Sequence, residues 1–258
     1  MKNGFDLGIL AIGAHPDDIE LSCGGFLAKM GDLGHKTGVL DLTEGELGSR
    51  GTVEERRREA DAASKILGLS YREILTFPDG GVETGENPTS PQLLALVEKL
   101  RTLRPEIVVA PYFQERHPDH VAASRLVTRA VFCAGLKKFA PQLGTEHLPR
   151  QVLYYQMRFD LEPAFITDIT AYEAKKAAAI QCYSSQVTPN SNLTSGPVLI
   201  ASPLSLLALQ ARDRYFGAKI GVALGEAFHM RNIVSIDDPL SHFRQHDVRG
   251  ALFFPGEF

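Results

Sequence analysis

The chain has 258 residues, 44% of them hydrophobic and 22% charged, with a formal net charge of -4. This content supports one large core and excludes disordered and fibrous classes, and the lack of a basic excess argues against nucleic acid as a partner. No stretch approaches the roughly 18 apolar residues of a membrane span and no basic head with an apolar run opens the chain, so a cytoplasmic protein with no membrane partner is expected, folded as a single domain over 1–258.

The first predicted strand covers 5–14, a short apolar run of the kind buried in a parallel sheet. It ends at His15, Pro16, Asp17 and Asp18; proline has no N–H for a sheet ladder, so the strand stops there. Helical spacing follows over 19–33, closed by Gly34, then a strand over 36–43. The segment 44–52 has three glycines and no core pattern, and reads as a loop. A charged helix over 53–67, with Glu54 and Arg58 at i,i+4, precedes a strand over 71–77 and a loop over 78–90. Ser90 is the expected N-cap of a helix over 91–103, with Pro91 at its first position. A strand over 104–111 leads to Arg116, His117, Pro118, Asp119 and His120, and a helix over 118–135 starts inside that motif. Strands over 151–157 and 165–169 and an Ala-rich helix over 171–182 come next. The polar segment 184–203 reads as a lid-like loop, 204–216 as a helix and 220–228 as a short strand. From 232 no period is evident, and an extended tail is expected. The alternation predicts a three-layer α/β/α fold with a Rossmann-like, mostly parallel sheet and helices on both faces. Cys23, Cys133 and Cys182 are too few and too scattered for a disulfide framework or a Cys-rich zinc cluster, and read as small buried apolar residues.

The chain thus writes His-Pro-Asp twice, each time just past a buried strand. These are predicted strands one and four, which lie side by side at the switch point of the commonest doubly wound order, where such sheets bind ligands. A hydrolytic zinc takes three protein ligands and keeps a fourth position for water. His15 and Asp18 can reach one ion from their turn, and either His117 or His120 can complete the set; spacing does not choose between them. Adjacent Asp17 is left to take a proton from water. Other divalent transition metals suit the same donors. Each motif alone could be a capped turn, with Asp17 or Asp18 capping the helix behind it and Asp119 in a first helical turn. Two such turns facing one crevice make the capping reading much the weaker. A dinucleotide-binding reading meets Asp17 and Asp18 where a Gly-rich phosphate turn should be, and two carboxylates there repel a pyrophosphate. A metal-binding scaffold that lost its base is disfavoured by the presence of Asp17.

Gly13, Ala14, His15, Pro16, Asp17, Asp18, Ile19 and Glu20, with His117, Pro118, Asp119 and His120, resemble the LmbE/PIG-L family of zinc-dependent N-deacetylases. The run 41–52, Arg56, Phe77-Pro78-Asp79, Ala110-Pro111-Tyr112, Ser185-Gln186, 211–213, 216–217 and 225–228 resemble its bacillithiol-pathway branch, so the likeness covers roughly 6–229. The resemblance implies hydrolysis of N-acetylglucosaminyl malate to glucosaminyl malate and acetate. It implies Zn2+ on His15, Asp18 and His120, with Asp17 as general base and then acid for the leaving amine. It makes His117 the cation facing the oxyanion, with Asp119 orienting His117 or a ligand unless it caps the helix. It also implies a homo-oligomer. A malate-bearing sugar is a small anionic substrate, and Arg50, Arg56 and Arg116 near the site could clamp its carboxylates. For Arg56 the alternative is a solvated helix face shared with Arg57 and Arg58. Glu44, Glu46 and Asp79 could bind sugar hydroxyls or simply be loop polarity. A different N-acetylglucosamine glycoside or a chito-oligosaccharide is the alternative substrate.

Overall fold

The structure is a computed structural model and describes residues 6–158, 160–187 and 203–245, with side chains from 206 onward in the last segment. Among the described residues, seven strands form one sheet: β1 (Ile9–Gly13), β2 (Thr37–Thr43), β3 (Tyr71–Phe77), β4 (Ile107–Pro111), β5 (Gln151–Tyr155), β6 (Phe165–Asp168) and β7 (Gly225–His229). Their order is β3-β2-β1-β4-β5-β7-β6. The first five are parallel, and β7 runs antiparallel to both β5 and β6. The expected Rossmann-like, three-layer architecture is therefore present, with strands one and four adjacent.

Alternation along the strands makes the two faces. Leu10, Ile12, Leu40, Leu42, Val108 and Ala110 pack with α3 (Pro91–Leu103) and α4 (Pro118–Ala134). Ile9, Ala11, Val39 and Val109 point the other way, against Ile19, Phe26 and Leu27 of α1 (Asp18–Asp32). Behind α1, Ala60, Ala63 and Leu67 of α2 (Val53–Leu67) meet Ala179 of α5 (Glu173–Gln181). Local chemistry fixes the ends. Thr52 and Glu55 close a reciprocal capping box on α2, and Ser90 accepts the Leu93 N–H at 3.3 Å with Pro91 in the first turn of α3.

The helix behind the first motif is broken. Cys23 has φ -141° and ψ 24°, which splits α1 into a first turn carrying Asp18 and Glu20 and a longer second part. The break leaves backbone groups that side chains from distant elements satisfy. Arg212, on α7 (Pro203–Lys219), donates to the Leu21 carbonyl at 2.8 Å, and Glu226 on β7 accepts the N–H groups of Gly25 at 3.0 Å and Phe26 at 2.6 Å. Glu226 is paired in turn with Lys176, which also meets Asp213. Glu20 is held by Arg72 at 2.5 Å and by the Tyr183 hydroxyl at 3.2 Å, and Arg72 also binds Asp41. The first turn of α1 is thereby pinned on both sides, which matters because the motif residues hang from it.

Three expectations change. The strand expected over 220–228 starts later, at Gly225, because α7 runs on to Lys219; a Cβ at Gly225 would lie 2.6 Å from Ile166 and 2.9 Å from the Gly217 backbone, so only glycine permits the return. The expected loop over 184–203 begins as a helical turn, α6 (Ser184–Val187), because Glu59 accepts the Ser185 N–H at 2.7 Å and its hydroxyl at 2.7 Å; the remainder, 188–202, lies outside the described residues. Within the tail expected to be extended, α8 (Pro239–Gln245) forms where Asp238 accepts the Leu240 and Ser241 N–H groups, each at 3.1 Å; 246–258 lies outside the described residues. Among the described residues no helix is long and apolar enough to cross a membrane.

Candidate metal centre

Because β4 pairs with β1, with Ile107 opposite Ile9, the turns that follow both strands leave the same edge of the sheet. The first turn is tied down at once: the Thr43 N–H and hydroxyl each donate to the Ala14 carbonyl at 3.0 Å. Gly13 lets it fold back, since a Cβ there would meet Asp18 and the His15 carbonyl at 3.2 Å. Asp17 then takes φ 105° and ψ -24°, a left-handed conformation that is uncommon for a residue with a side chain. Its carboxylate caps no helix N–H. It faces a cavity of about 430 Å3 that His15, Asp18, Asp79, Glu115, Arg116, His117 and His120 also line. Burial pushes the Asp17 carboxyl up to about 7, with the Arg56 guanidinium opposing it.

The two motifs meet. The Asp18 carboxylate lies between two imidazoles, Oδ1 at 3.4 Å from His120 Nε2 and Oδ2 at 3.7 Å from His15 Nδ1. Two donors each about 2.0–2.1 Å from a tetrahedral ion sit about 3.4 Å apart, so this spacing fits a divalent ion. Asp18 is also fixed by the His15 backbone N–H, at 2.9 Å. The other nitrogen of His15 is occupied: Nε2 lies 3.1 Å from Asp79 and 3.3 Å from Asp119. Carboxylates on the far nitrogen fix the ring and turn Nδ1 toward Asp18, an arrangement typical of metal-binding histidines. Burial works against charge at His15, yet Asp119, Asp18 and Asp79 outweigh it and push its pKa up to about 12. The carboxylates thus create a field that calls for a cation at their centre. Nearby imidazole holds Asp18 well below the usual carboxylate range despite burial, and Asp79 is lowered to about 2 against burial by His15.

His117 stands close to both other imidazoles, with ring centroids 4.8 Å from His15 and 4.9 Å from His120, and its ligand atoms converge with theirs within 4.8 Å. Its Nδ1, however, accepts the Asp119 N–H at 3.2 Å, which needs a bare nitrogen and puts the proton of the neutral ring on Nε2. Burial, His15 and His120 lower its pKa, and it caps the positive end of α4. Both features favour a neutral ring that donates from Nε2 over the cation that the resemblance implies. Asp119 does not cap the helix with its carboxylate, which goes to His15 and to the N–H groups of Gly80 at 2.7 Å and Val82 at 3.4 Å.

The residues expected to bind substrate fare differently. Arg116 lines the cavity. Arg56 also lines it, but it is buried, and its guanidinium donates to the Pro16 carbonyl, to the Gly45 carbonyl at 3.4 Å and to Asp17 at 3.4 Å. It is neither a solvated face nor an open carboxylate clamp; it holds the backbone of the Asp17 turn. Gly45, at φ 67°, makes room for it, since a Cβ there would lie 2.3 Å from Arg56 Nη1. Arg56→Ala is therefore expected to lower kcat by about 10²-fold by misplacing Asp17. KM should stay near wild type, and added guanidinium salt should restore part of the rate. A rise in KM with kcat unchanged would return Arg56 to a clamp. Glu46 accepts the Asp79 N–H at 2.8 Å, Glu44 pairs with Arg57, and the Arg50 carbonyl accepts from Gln186 at 2.8 Å; none of the three lines the cavity. Asp79, expected at a sugar hydroxyl, instead orients His15. Arg158 and Met157 also line the cavity, and the motifs do not single them out. Arg158 follows β5, whose end lies at the same sheet edge, and that position is the available signal.

The model of the family described as PIG-L, GlcNAc-PI de-N-acetylase, matches residues 10–131, from β1 into α4. The uncharacterized deacetylase YaiS of Escherichia coli is 36% identical over 129 residues, 48% of this chain and 69% of that protein. Diacetylchitobiose deacetylase of Thermococcus kodakarensis is 30% identical over 190 residues, 69% of each. Among solved structures, the conserved protein TT1542 from Thermus thermophilus superposes with TM-score 0.79 at 40% identity, covering 91% of this chain and 98% of its own.

Proposed function

The chain belongs to the PIG-L family, and from that premise we propose that it is a zinc-dependent N-deacetylase of N-acetylglucosamine conjugates, acting on N-acetylglucosaminyl malate in bacillithiol biosynthesis. One observation carries the reading. The Asp18 carboxylate lies between His15 Nδ1, at 3.7 Å, and His120 Nε2, at 3.4 Å, while a neighbouring carboxylate, Asp17, faces the same cavity outside that set. His15, Asp18 and His120 would hold the ion. When bound, a divalent zinc supplies Lewis-acid polarisation of the amide carbonyl and lowers the pKa of a water from about 16 to about 7.

The protein groups do the rest. Asp17 takes the proton of the attacking water and later gives it to the leaving amine, a task suited to a carboxyl whose pKa burial has raised toward neutrality. Arg56 keeps that carboxylate from swinging away. His117 donates its Nε2–H to the oxygen that becomes negative as the carbonyl turns tetrahedral. Asp79 and Asp119 hold the His15 ring. Arg116 meets the charged end of the substrate. The enzyme works in the cytoplasm as a homo-oligomer, in one domain.

The likeness to a diacetylchitobiose deacetylase favours a second substrate, a neutral chito-oligosaccharide. Amine release from N-acetylglucosaminyl malate, N,N'-diacetylchitobiose and N-acetylglucosamine separates the two. The malyl conjugate is expected to react fastest, with activity lost to chelator and restored by zinc. Release from chitobiose alone selects the second substrate, and amine from no conjugate rejects the deacetylase reading.

A further inference from the structure

We propose that Glu115, Arg116 and Arg158 form an anion receptor at the cavity rim, in which Glu115 sets the spacing of two arginines that take the anionic group of the substrate's aglycone. The inference rests on the deacetylase reading and adds the residues that would choose the substrate.

The receptor is built from two loops. Arg116 follows β4 and Arg158 follows β5, which pair in parallel with Pro111 opposite Tyr155, so both loops leave the edge that carries the metal motifs. One carboxylate joins them: Glu115 Oε1 accepts the Arg116 N–H at 2.6 Å and Oε2 accepts the Arg158 N–H at 2.7 Å. Both oxygens of Glu115 are thereby engaged with main chain. All three residues line the cavity alongside Asp17 and His117. Neither guanidinium makes a hydrogen bond or ion pair with any described residue, whereas Arg56, Arg72 and Arg212 each have a carboxylate partner.

Glu115, the carboxylate between the two loops, has both oxygens on main-chain N–H groups, which leaves the two guanidinium groups open to an external anion. Burial and the neighbouring Arg116 push the Arg158 guanidinium below its usual range, with Glu115 opposing them. A planar fork of N–H donors matches a carboxylate or a phosphate in two-point fashion, and two forks suit an anion with more than one oxygen pair. The shared ligand chemistry is a small oxyanion attached through the sugar's anomeric oxygen.

The test uses the zinc-loaded full chain and three conjugates: the methyl glycoside of N-acetylglucosamine, the malyl glycoside and N-acetylglucosamine 1-phosphate. The kcat/KM ratio of at least one anionic conjugate over the methyl glycoside should exceed about tenfold in the wild type, and whichever wins names the anion. Arg158→Gln should cut that ratio about tenfold, mainly through KM, and Arg158→Lys should restore part of it. Equal kcat/KM for all three conjugates in the wild type, or an equal loss on charged and neutral conjugates in Arg158→Gln, overturns the receptor. If no conjugate releases amine, the deacetylase reading falls and the receptor is decided by calorimetry with malate and inorganic phosphate. Weakening of either by about tenfold in Arg158→Gln supports it, and identical or absent binding in the two proteins overturns it.

Discussion

Asp17→Asn is expected to lower kcat by about 10²–10⁴-fold while leaving zinc content at the wild-type level. The substitution keeps the shape of the side chain and removes only its ability to accept a proton. It also suits the backbone, because asparagine tolerates the left-handed conformation that Asp17 adopts at φ 105°. The turn should therefore hold its geometry, and the Pro16 carbonyl remains available to Arg56. Metal should stay because the donor spacing involves Asp18 and the two imidazoles, not Asp17. Steady-state amine release and elemental analysis on the same preparation read both effects. Turnover within a few-fold of wild type would remove Asp17 from proton transfer, and loss of zinc would make it a ligand.

The two histidines of the second motif should part company. His120→Ala is expected to weaken zinc binding by more than about a hundredfold, since even outer partners of a metal site contribute 10–100-fold. His117→Ala should retain zinc and lose about 10²–10³ in kcat, the usual effect of deleting one donor to an oxyanion. The physical reason lies in their hydrogen bonds. His120 offers Nε2 to the same carboxylate that faces His15, whereas His117 has spent Nδ1 on the Asp119 N–H and aims a proton, not a lone pair, from its other nitrogen. Dissociation constants from chelator competition decide the matter. The reverse pattern would exchange the two roles.

Much of this was legible in the sequence for identifiable reasons. A short apolar run halted by proline specifies a buried strand and its end, and it does so at Pro16; the pairing of β1 with β4 then follows from the commonest doubly wound order. What sequence could not reveal depended on where loops fold back. Asp79 looks like one more polar loop residue until Gly80, at φ 74°, turns the chain so that its N–H reaches Asp119 and both acids meet His15. Arg56 sits in a run of three arginines, and only the packing of the Gly45 loop over it decides that it faces inward. Which nitrogen of His117 is bare turns on a single main-chain N–H, which no spacing rule contains. The break in α1 at Cys23 is equally hidden, because its supports, Arg212 and Glu226, lie near the other end of the chain.

Anomalous scattering at the zinc edge from crystals of the zinc-loaded protein tests the central claim most directly. One peak is expected within bonding distance of His15 Nδ1, His120 Nε2 and the Asp18 carboxylate, with Asp17 and His117 beyond it. A peak bound by His117 in place of Asp18, or none among these residues, would contradict the account.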